Sequence, residues 1–198
     1  MSEKRPRGRP RGFAPDAALA DAANIFRRQG YAATSLDGLA DALDLKRSSL
    51  YAAFGNKQTL YLRSLDFFAT QMLAGLDAAF ATDGSLRAKL LTFFDAAIAS
   101  YFADETGVGC LVMCTAPAEA LSDPEIRARL RAVLTGIDAA FEKHLREAAG
   151  ATPLATPPAT LARMAAAILE SLALRIRAGM TRDAATRYCR EMVEALPL

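Results

Sequence analysis

Apolar residues recur three and four positions apart along most of this chain, and alternation at every second residue is nowhere sustained. That spacing stacks apolar side chains on one face of a helix. Leu19, Ala22, Ala23 and Phe26 make such a stripe over about Asp16–Gln29. Gly30 then suits the left-handed stop. Leu36, Leu39, Ala40 and Leu43 make a short second stripe after Ser35, a good N-cap residue. A third helix is expected over Lys46–Phe54, and a fourth over Lys57–Phe80 behind Asn56. Asp83-Gly84-Ser85 is a turn, followed by a helix to about Phe102 with Leu86, Leu90, Phe93, Phe94, Ala97 and Tyr101 inward.

The second half repeats the pattern at greater length. Residues 104–109 read as a loop, and Cys110–Leu121 as a short helix interrupted by Pro117. A proline removes a backbone donor and clashes one turn back, so a kink or break is expected there. Ser122-Asp123-Pro124-Glu125 has the form of a capping box ahead of a long helix to about Ala149. A Thr/Pro/Gly linker over 150–158 precedes helices over about Ala159–Ala178 and Arg182–Ala195, the latter capped by Thr181. The expected fold is all-α, with an N-terminal three-helix domain followed by a larger helical domain.

Composition adds little to this until charge is divided along the chain. The 198 residues carry a net charge of +2. Residues 1–63 hold eleven Lys/Arg against six Asp/Glu, a net +5, and the remainder is net −3. A basic head on a mildly acidic body suits one region facing a polyanion. Three cysteines in a chain of this length do not form a secreted disulfide framework. No apolar segment follows the basic N-terminus as in a secretion signal, and no run reaches membrane-spanning length. The expectation is a cytoplasmic protein with no membrane contact.

The richest stretch is residues 34–60, TSLDGLADALDLKRSSLYAAFGNKQTL. A short amphipathic helix, a tight turn and a second helix form a helix-turn-helix pattern. Leu36, Leu39 and Leu43 can pack on Leu45 and Leu50, leaving Lys46, Arg47, Ser48, Ser49 and Tyr51 outward. Arginine is the commonest reader of guanine edges, and serine hydroxyls contact bases or phosphates. Lys46 and Lys57 suit phosphates, and the N-cap Ser35 with its free amides offers a second phosphate contact.

Phe13–Leu62, about a quarter of the chain, resembles the DNA-binding domain of TetR/AcrR-family transcriptional regulators. The matching pieces are ALADAANIFRRQGY, TSLDGLADALDL and SSLYAAFGNKQTL, together with the overall length. The resemblance implies base contacts from Arg47, Ser48 and Ser49, and phosphate contacts from Tyr51, Lys57 and Ser35. It departs at Asp44, where the family usually has glycine, and at Ala53, where it usually has histidine or another aromatic residue. Aspartate tolerates the left-handed conformation better than most residues, so the turn can form. The implied domains are a basic arm over 1–12, the DNA-binding domain over 13–58, and an effector-binding and dimerisation domain over 59–198. The implied partners are a double-stranded DNA operator, a second copy of the chain and a small-molecule effector.

The arm Pro6-Arg7-Gly8-Arg9-Pro10-Arg11 matches the core of an AT-hook. Arg7 and Arg9 would enter an A·T-rich minor groove. The alternative is a basic tail touching phosphates without regard to sequence. An architectural A·T-rich DNA binder that ignores small molecules is the corresponding rival function.

The body is less explicit. Arg163, Glu170 and Arg177 recur every seven residues on a helix that is otherwise apolar. Leu161, Ala165, Ile168, Leu172 and Ile176 are the expected dimer face, the rival reading being a helix central to a monomer core. The resemblance also implies dimerisation through the last two helices. Phe67, Phe68, Met72, Phe93, Phe94, Tyr101, Cys110, Met113, Cys114 and Phe141 are available to line an effector pocket, which would favour an apolar or aromatic molecule. Cys110, Met113 and Cys114 share a helical face. They are core, a thiol sensor, or a soft-metal site such as one for Cu(I). Cys189 reads as structural. His144, the single histidine, lies beside Glu142, Lys143 and Arg146 and reads as a solvated surface residue. With no Cys/His/Asp cluster, the chain is expected to be no enzyme and to need no cofactor or metal.

Overall fold

A computed structural model describes residues 14–102, 106–150 and 154–198. The described residues form helices α1 (Pro15–Gln29), α2 (Leu36–Ala42), α3 (Arg47–Phe54), α4 (Lys57–Phe80), α5 (Leu86–Tyr101), α6 (Leu111–Glu119), α7 (Pro124–Ala149), α8 (Pro158–Arg177) and α9 (Arg182–Glu194). The fold is all-α, an N-terminal helix-turn-helix unit leading into a larger helical body. Each boundary has a local cause. Ser35, Asn56, Ser85 and Thr181 accept first-turn amides on their side chains, which satisfies donors that a helix start leaves open.

Two boundaries differ from expectation. Asp123, not Ser122, caps α7: its carboxylate accepts the Glu125 and Ile126 amides at 2.9 and 3.1 Å. The carboxylate adds favourable charge at a helix N-terminus, which a serine cannot. Pro117 does not break α6, which runs through it and ends two residues later at Glu119. So close to the end, the lost donor disturbs only the last turn.

α4 ties the molecule together. At about 1.5 Å per residue its 24 residues span roughly 36 Å. Its first half meets α1 through Tyr61, whose ring lies edge-on to Phe26 at 5.0 Å and tilted against Tyr31 at 4.8 Å. The Tyr61 hydroxyl crosses to α6 and lies 2.6 Å from Thr115 Oγ1. Thr115 already donates to the Leu111 carbonyl, so Tyr61 is the donor. Burial pushes the Tyr61 phenol far above its ordinary pKa, which keeps that proton in place.

α7 and α8 form the centre of the body. The inner face of α8 is Leu161, Ala162, Ala165, Ala166, Ile168, Leu169, Leu172, Ala173 and Ile176. The alanines let backbones approach closely. This corrects the expected dimer face. Leu161, Ala165, Ile168, Leu172 and Ile176 are all buried within one chain, because α7, α6 and α5 already cover that side. Met164, Ala167 and Leu174 point outward instead, and Leu174 is 53% exposed.

His144 is also not a free surface residue. Its side chain is only 12% exposed, stacked on Phe80 at 4.9 Å with Nε2 2.7 Å from Asp77 Oδ1. It fastens α7 to α4. Its charged sequence neighbours lie on other faces of the helix, which is why they misled. None of the helices among the described residues is long and apolar enough to cross a membrane.

Candidate nucleic-acid interface

The turn between α2 and α3 is held by its backbone. The Leu45 amide donates to the Ala40 carbonyl at 2.9 Å, and Asp44 adopts φ 50°. Aspartate occupies this left-handed position at modest cost, so the turn closes without glycine. Leu39 and Leu50 are buried beneath it, with Leu36, Leu43 and Leu45 packed against them. Burying a leucine contributes about 1.5–3 kcal/mol, so this small core fixes the angle between the two helices.

Lys46, Arg47, Ser48 and Tyr51 are exposed on the far side, Ser49 is half-buried, and Tyr51 retains 43% of its surface. Arg47 lies across this face. Its Nε is 2.8 Å from Asp37 Oδ1 on α2, and its guanidinium sits 5.5 Å from the Tyr51 ring centroid. An ion pair this exposed is weak and exchanges readily, so the guanidinium can be released to another acceptor. Ser35 is exposed at the start of α2, its Oγ accepting the Gly38 amide at 3.0 Å. Its hydroxyl proton remains available to donate. Asp37 is a member of this face that sequence reasoning missed; the signal was its place in the first turn of α2.

Lys57 departs from its expected place. Its Nζ donates to the Tyr31 and Thr34 carbonyls at 3.1 and 2.9 Å and lies 4.1 Å from the Tyr31 ring centroid. The ammonium is turned inward onto the loop that leads into α2. A lysine one residue past an N-cap sits where it can reach such a loop, but only the fold shows which loop is there. At Ala53 no aromatic side chain is present; its carbonyl accepts from Arg63 Nη1 at 3.1 Å. Arg7 and Arg9 lie outside the described residues.

A cavity of about 260 Å³ opens between α4 and α5. Phe68, Met72, Phe93 and Tyr101 line it, joined by Gln71, Gly75, Ala96, Ala97 and Ser100. Phe94, Cys110, Met113 and Phe141 are core residues elsewhere, and Cys114 is half-buried against α8 with its thiol 3.6 Å from the Ala173 carbonyl. These five therefore do not form its wall. Burial pushes the Cys110 thiol up to about 11 and Cys189 up to about 12, and raises Cys114 as well. Thiols held protonated in this way are poor nucleophiles.

The junction between head and body is carried by two arginines the sequence did not single out. Arg27 of α1 is buried, and its Nη1 donates to the Ser100 carbonyl at 3.0 Å while the guanidinium lies 5.8 Å from the Phe68 ring centroid. Arg177, ending α8, donates to the Arg27 carbonyl and to the Val108 carbonyl.

Comparisons with known proteins agree with this geometry. The profile of "Bacterial regulatory proteins, tetR family" matches residues 18–63. The Escherichia coli repressor ComR is 36% identical over 115 residues, covering 57% of this chain and 55% of ComR. The E. coli repressor BdcR is 32% identical over 106 residues, covering 54% of each. The chain thus spans about half the length of the curated relatives it matches. The solved structure of the TetR-family regulator CifR, complexed with a 26-bp operator duplex, is 27% identical with a TM-score of 0.78. That superposition covers 96% of this chain and all of CifR. Residues 18–63 thus match the DNA-binding domain of tetR-family bacterial regulatory proteins, and the helix-turn-helix head and helical body together are similar in fold to a TetR-family regulator.

Proposed function

We propose that the chain is a sequence-specific DNA-binding transcriptional repressor, working as a homodimer in the cytoplasm and released from a palindromic operator by a small molecule. The observation that carries this reading is the outer face of α3, where Lys46, Arg47, Ser48, Ser49 and Tyr51 stand above a buried leucine core. Arg47 reads a base edge, the serines contact bases or phosphates, and Ser35, Lys46 and Tyr51 hold the backbone. Lys57 serves by setting the loop before α2. The reading head divides from the effector and dimer domain near residue 58, at the start of α4. Two-fold symmetry sets half-sites about one helical turn or more apart.

The dimer forms through the outer side of α8 and α9, where Met164, Ala167, Tyr188, Met192 and Ala195 surround an apolar groove. A small-molecule trigger is favoured over a redox one because the Cys110 thiol is buried and strongly protonated. The effector acts only through its difference in affinity between operator-matched and mismatched spacings of the two heads.

Selection of bound sequences from a random duplex pool tests the reading. A palindromic consensus is expected, and Arg47→Ala is expected to weaken it by about 1–3 kcal/mol while relaxing one position per half-site. A pool with no enriched sequence, or an unchanged footprint in Arg47→Ala, would overturn it. Met164→Glu with Met192→Glu is expected to yield monomers in sedimentation, since charge is then desolvated at the apolar groove.

A further inference from the structure

The α4/α5 cavity has a wall chemistry that selects among ligands. Phe93, Ala97 and Tyr101 are buried, whereas Gln71, Ala96 and Ser100 are exposed, which gives the cavity a floor and a rim. Three aromatic rings, from Phe68, Phe93 and Tyr101, line it together with Met72, and no lining residue carries a charge. Aromatic rings pack best against the face or edge of another ring, and a thioether adapts to either. The nearest cation, Arg27, is not part of the wall and already donates to the Ser100 carbonyl, so an ion entering here would lose its hydration without a counter-charge in direct contact, a cost of several kcal/mol. At 260 Å³ the cavity lies just under the usual range for drug-sized ligands, and so suits about a dozen non-hydrogen atoms.

Two wall residues also belong to the junction with the reading head. Phe68 carries the Arg27 guanidinium near its ring, and the Ser100 carbonyl accepts from Arg27 Nη1. Arg27 is a residue of α1, whose apolar face packs on α4 beside the helix-turn-helix. A molecule seated against Phe68 and Ser100 therefore acts on two contacts of one buried cation.

We propose that this cavity binds an uncharged, predominantly apolar aromatic molecule of about a dozen heavy atoms, and that Arg27 carries its arrival to α1. The proposal rests on reading the chain as an effector-responsive regulator. Arg27 is a coupling residue: its role is in transmission, so its loss separates binding from release. Linkage requires the converse as well, so duplex binding weakens the ligand by the same factor.

Calorimetry on the full chain without DNA tests the first half. The neutral probes are 2-naphthol, indole and 4-phenylphenol; their anionic counterparts are 2-naphthoate, indole-3-carboxylate and biphenyl-4-carboxylate. At least one neutral probe is expected to bind with a Kd below about 1 mM, and its carboxylate about tenfold more weakly or worse. Ala97→Trp fills the floor and Ala96→Trp the rim, and each is expected to abolish probe binding. No neutral binder, carboxylates that bind as well, or binding that survives both tryptophans would overturn the ligand class.

The second half is read on the selected duplex with the binding probe at saturation. Duplex affinity is expected to fall about tenfold for the native chain but less than about twofold for Arg27→Gln, with probe affinity kept within about threefold. Arg27→Lys retains the charge but not the planar fork, and serves with the same expectation if the glutamine variant does not fold. Full release in either variant would overturn the coupling. If the native chain selects no duplex, the regulator reading falls and the coupling with it, while the calorimetric result still decides the ligand class.

Discussion

The head, α1–α3, and the body, α4–α9, bury their apolar residues by the same rules but expose different things. The head presents a compact polar face above a few leucines. The body presents an apolar seam along α8 and α9 and a ring-lined cavity between α4 and α5. The lesson is that function shows where exposure departs from what packing requires. On α3 the departure is a row of exposed donors, of which Arg47 is held by a surface ion pair with Asp37. In the body it is apolar surface left at the boundary with solvent, and that is visible only once the core has been filled.

The sharpest way to break the comparison is to empty the head's core. Leu50→Ala removes a fully buried side chain from the small cluster under α3. It is expected to cost about 2–5 kcal/mol by denaturant titration, with DNA binding lost as the head loosens. Unchanged stability would mean that the leucines do not set the helix angle. A smaller effect is expected where head and body meet. Tyr61→Phe deletes the hydroxyl that donates to Thr115 and leaves the ring packing intact. The expected loss is about 0.5–1.5 kcal/mol, because Thr115 keeps its own bond to Leu111. A loss several times larger would make this contact a strut of the whole junction rather than one link in it.

At neutral pH the smallest effect is that of the body's thiols, which act only within a defined alkaline window. The Cys110 thiol is held protonated up to about 11, against an ordinary value of 9.0. Between those values the unfolded chain binds fewer protons than the folded one, so stability falls as pH rises from about 9 towards about 11. Below about pH 8 both states are protonated and the thiol contributes no slope. Cys189, raised to about 12, adds in the same direction. Denaturant titrations from pH 7 to 10.5 on the native chain and on Cys110→Ala should show a shallower alkaline decline in the variant. In the folded protein at pH 8, a disulfide thiol reagent should label half-buried Cys114 ahead of Cys110 and Cys189. Rapid labelling of Cys110 would restore the thiol-sensor reading.

Much of the fold was legible because helix signals are local. Stripes three and four apart, Ser35, Asn56 and Thr181 as caps, and Asp44 at the turn all act within a few residues of themselves. The same locality misled at Ser122, where the neighbouring carboxylate of Asp123 won the cap, and at Pro117, where nearness to the helix end removed the penalty. It misled again at His144. Charged neighbours in sequence suggested solvent, while α4 supplied Phe80 and Asp77 from the other side.

By itself the sequence determined the helices, the helix-turn-helix, and the polar residues that stand on α3, since each depends on a period of 3.6 and a handful of adjacent side chains. Tertiary structure decided which side of α8 is inward, why Lys57 faces a loop, which aromatic residues wall a cavity, and that Arg27 and Arg177 join head to body. An apolar helix offers several faces of nearly equal hydrophobicity. Only the arrival of α5, α6 and α7 settles which of them is buried and which is left exposed. A long cation likewise takes whichever carbonyls the fold brings within reach, and those carbonyls come from 73 and 69 positions away for Arg27–Ser100 and Arg177–Val108.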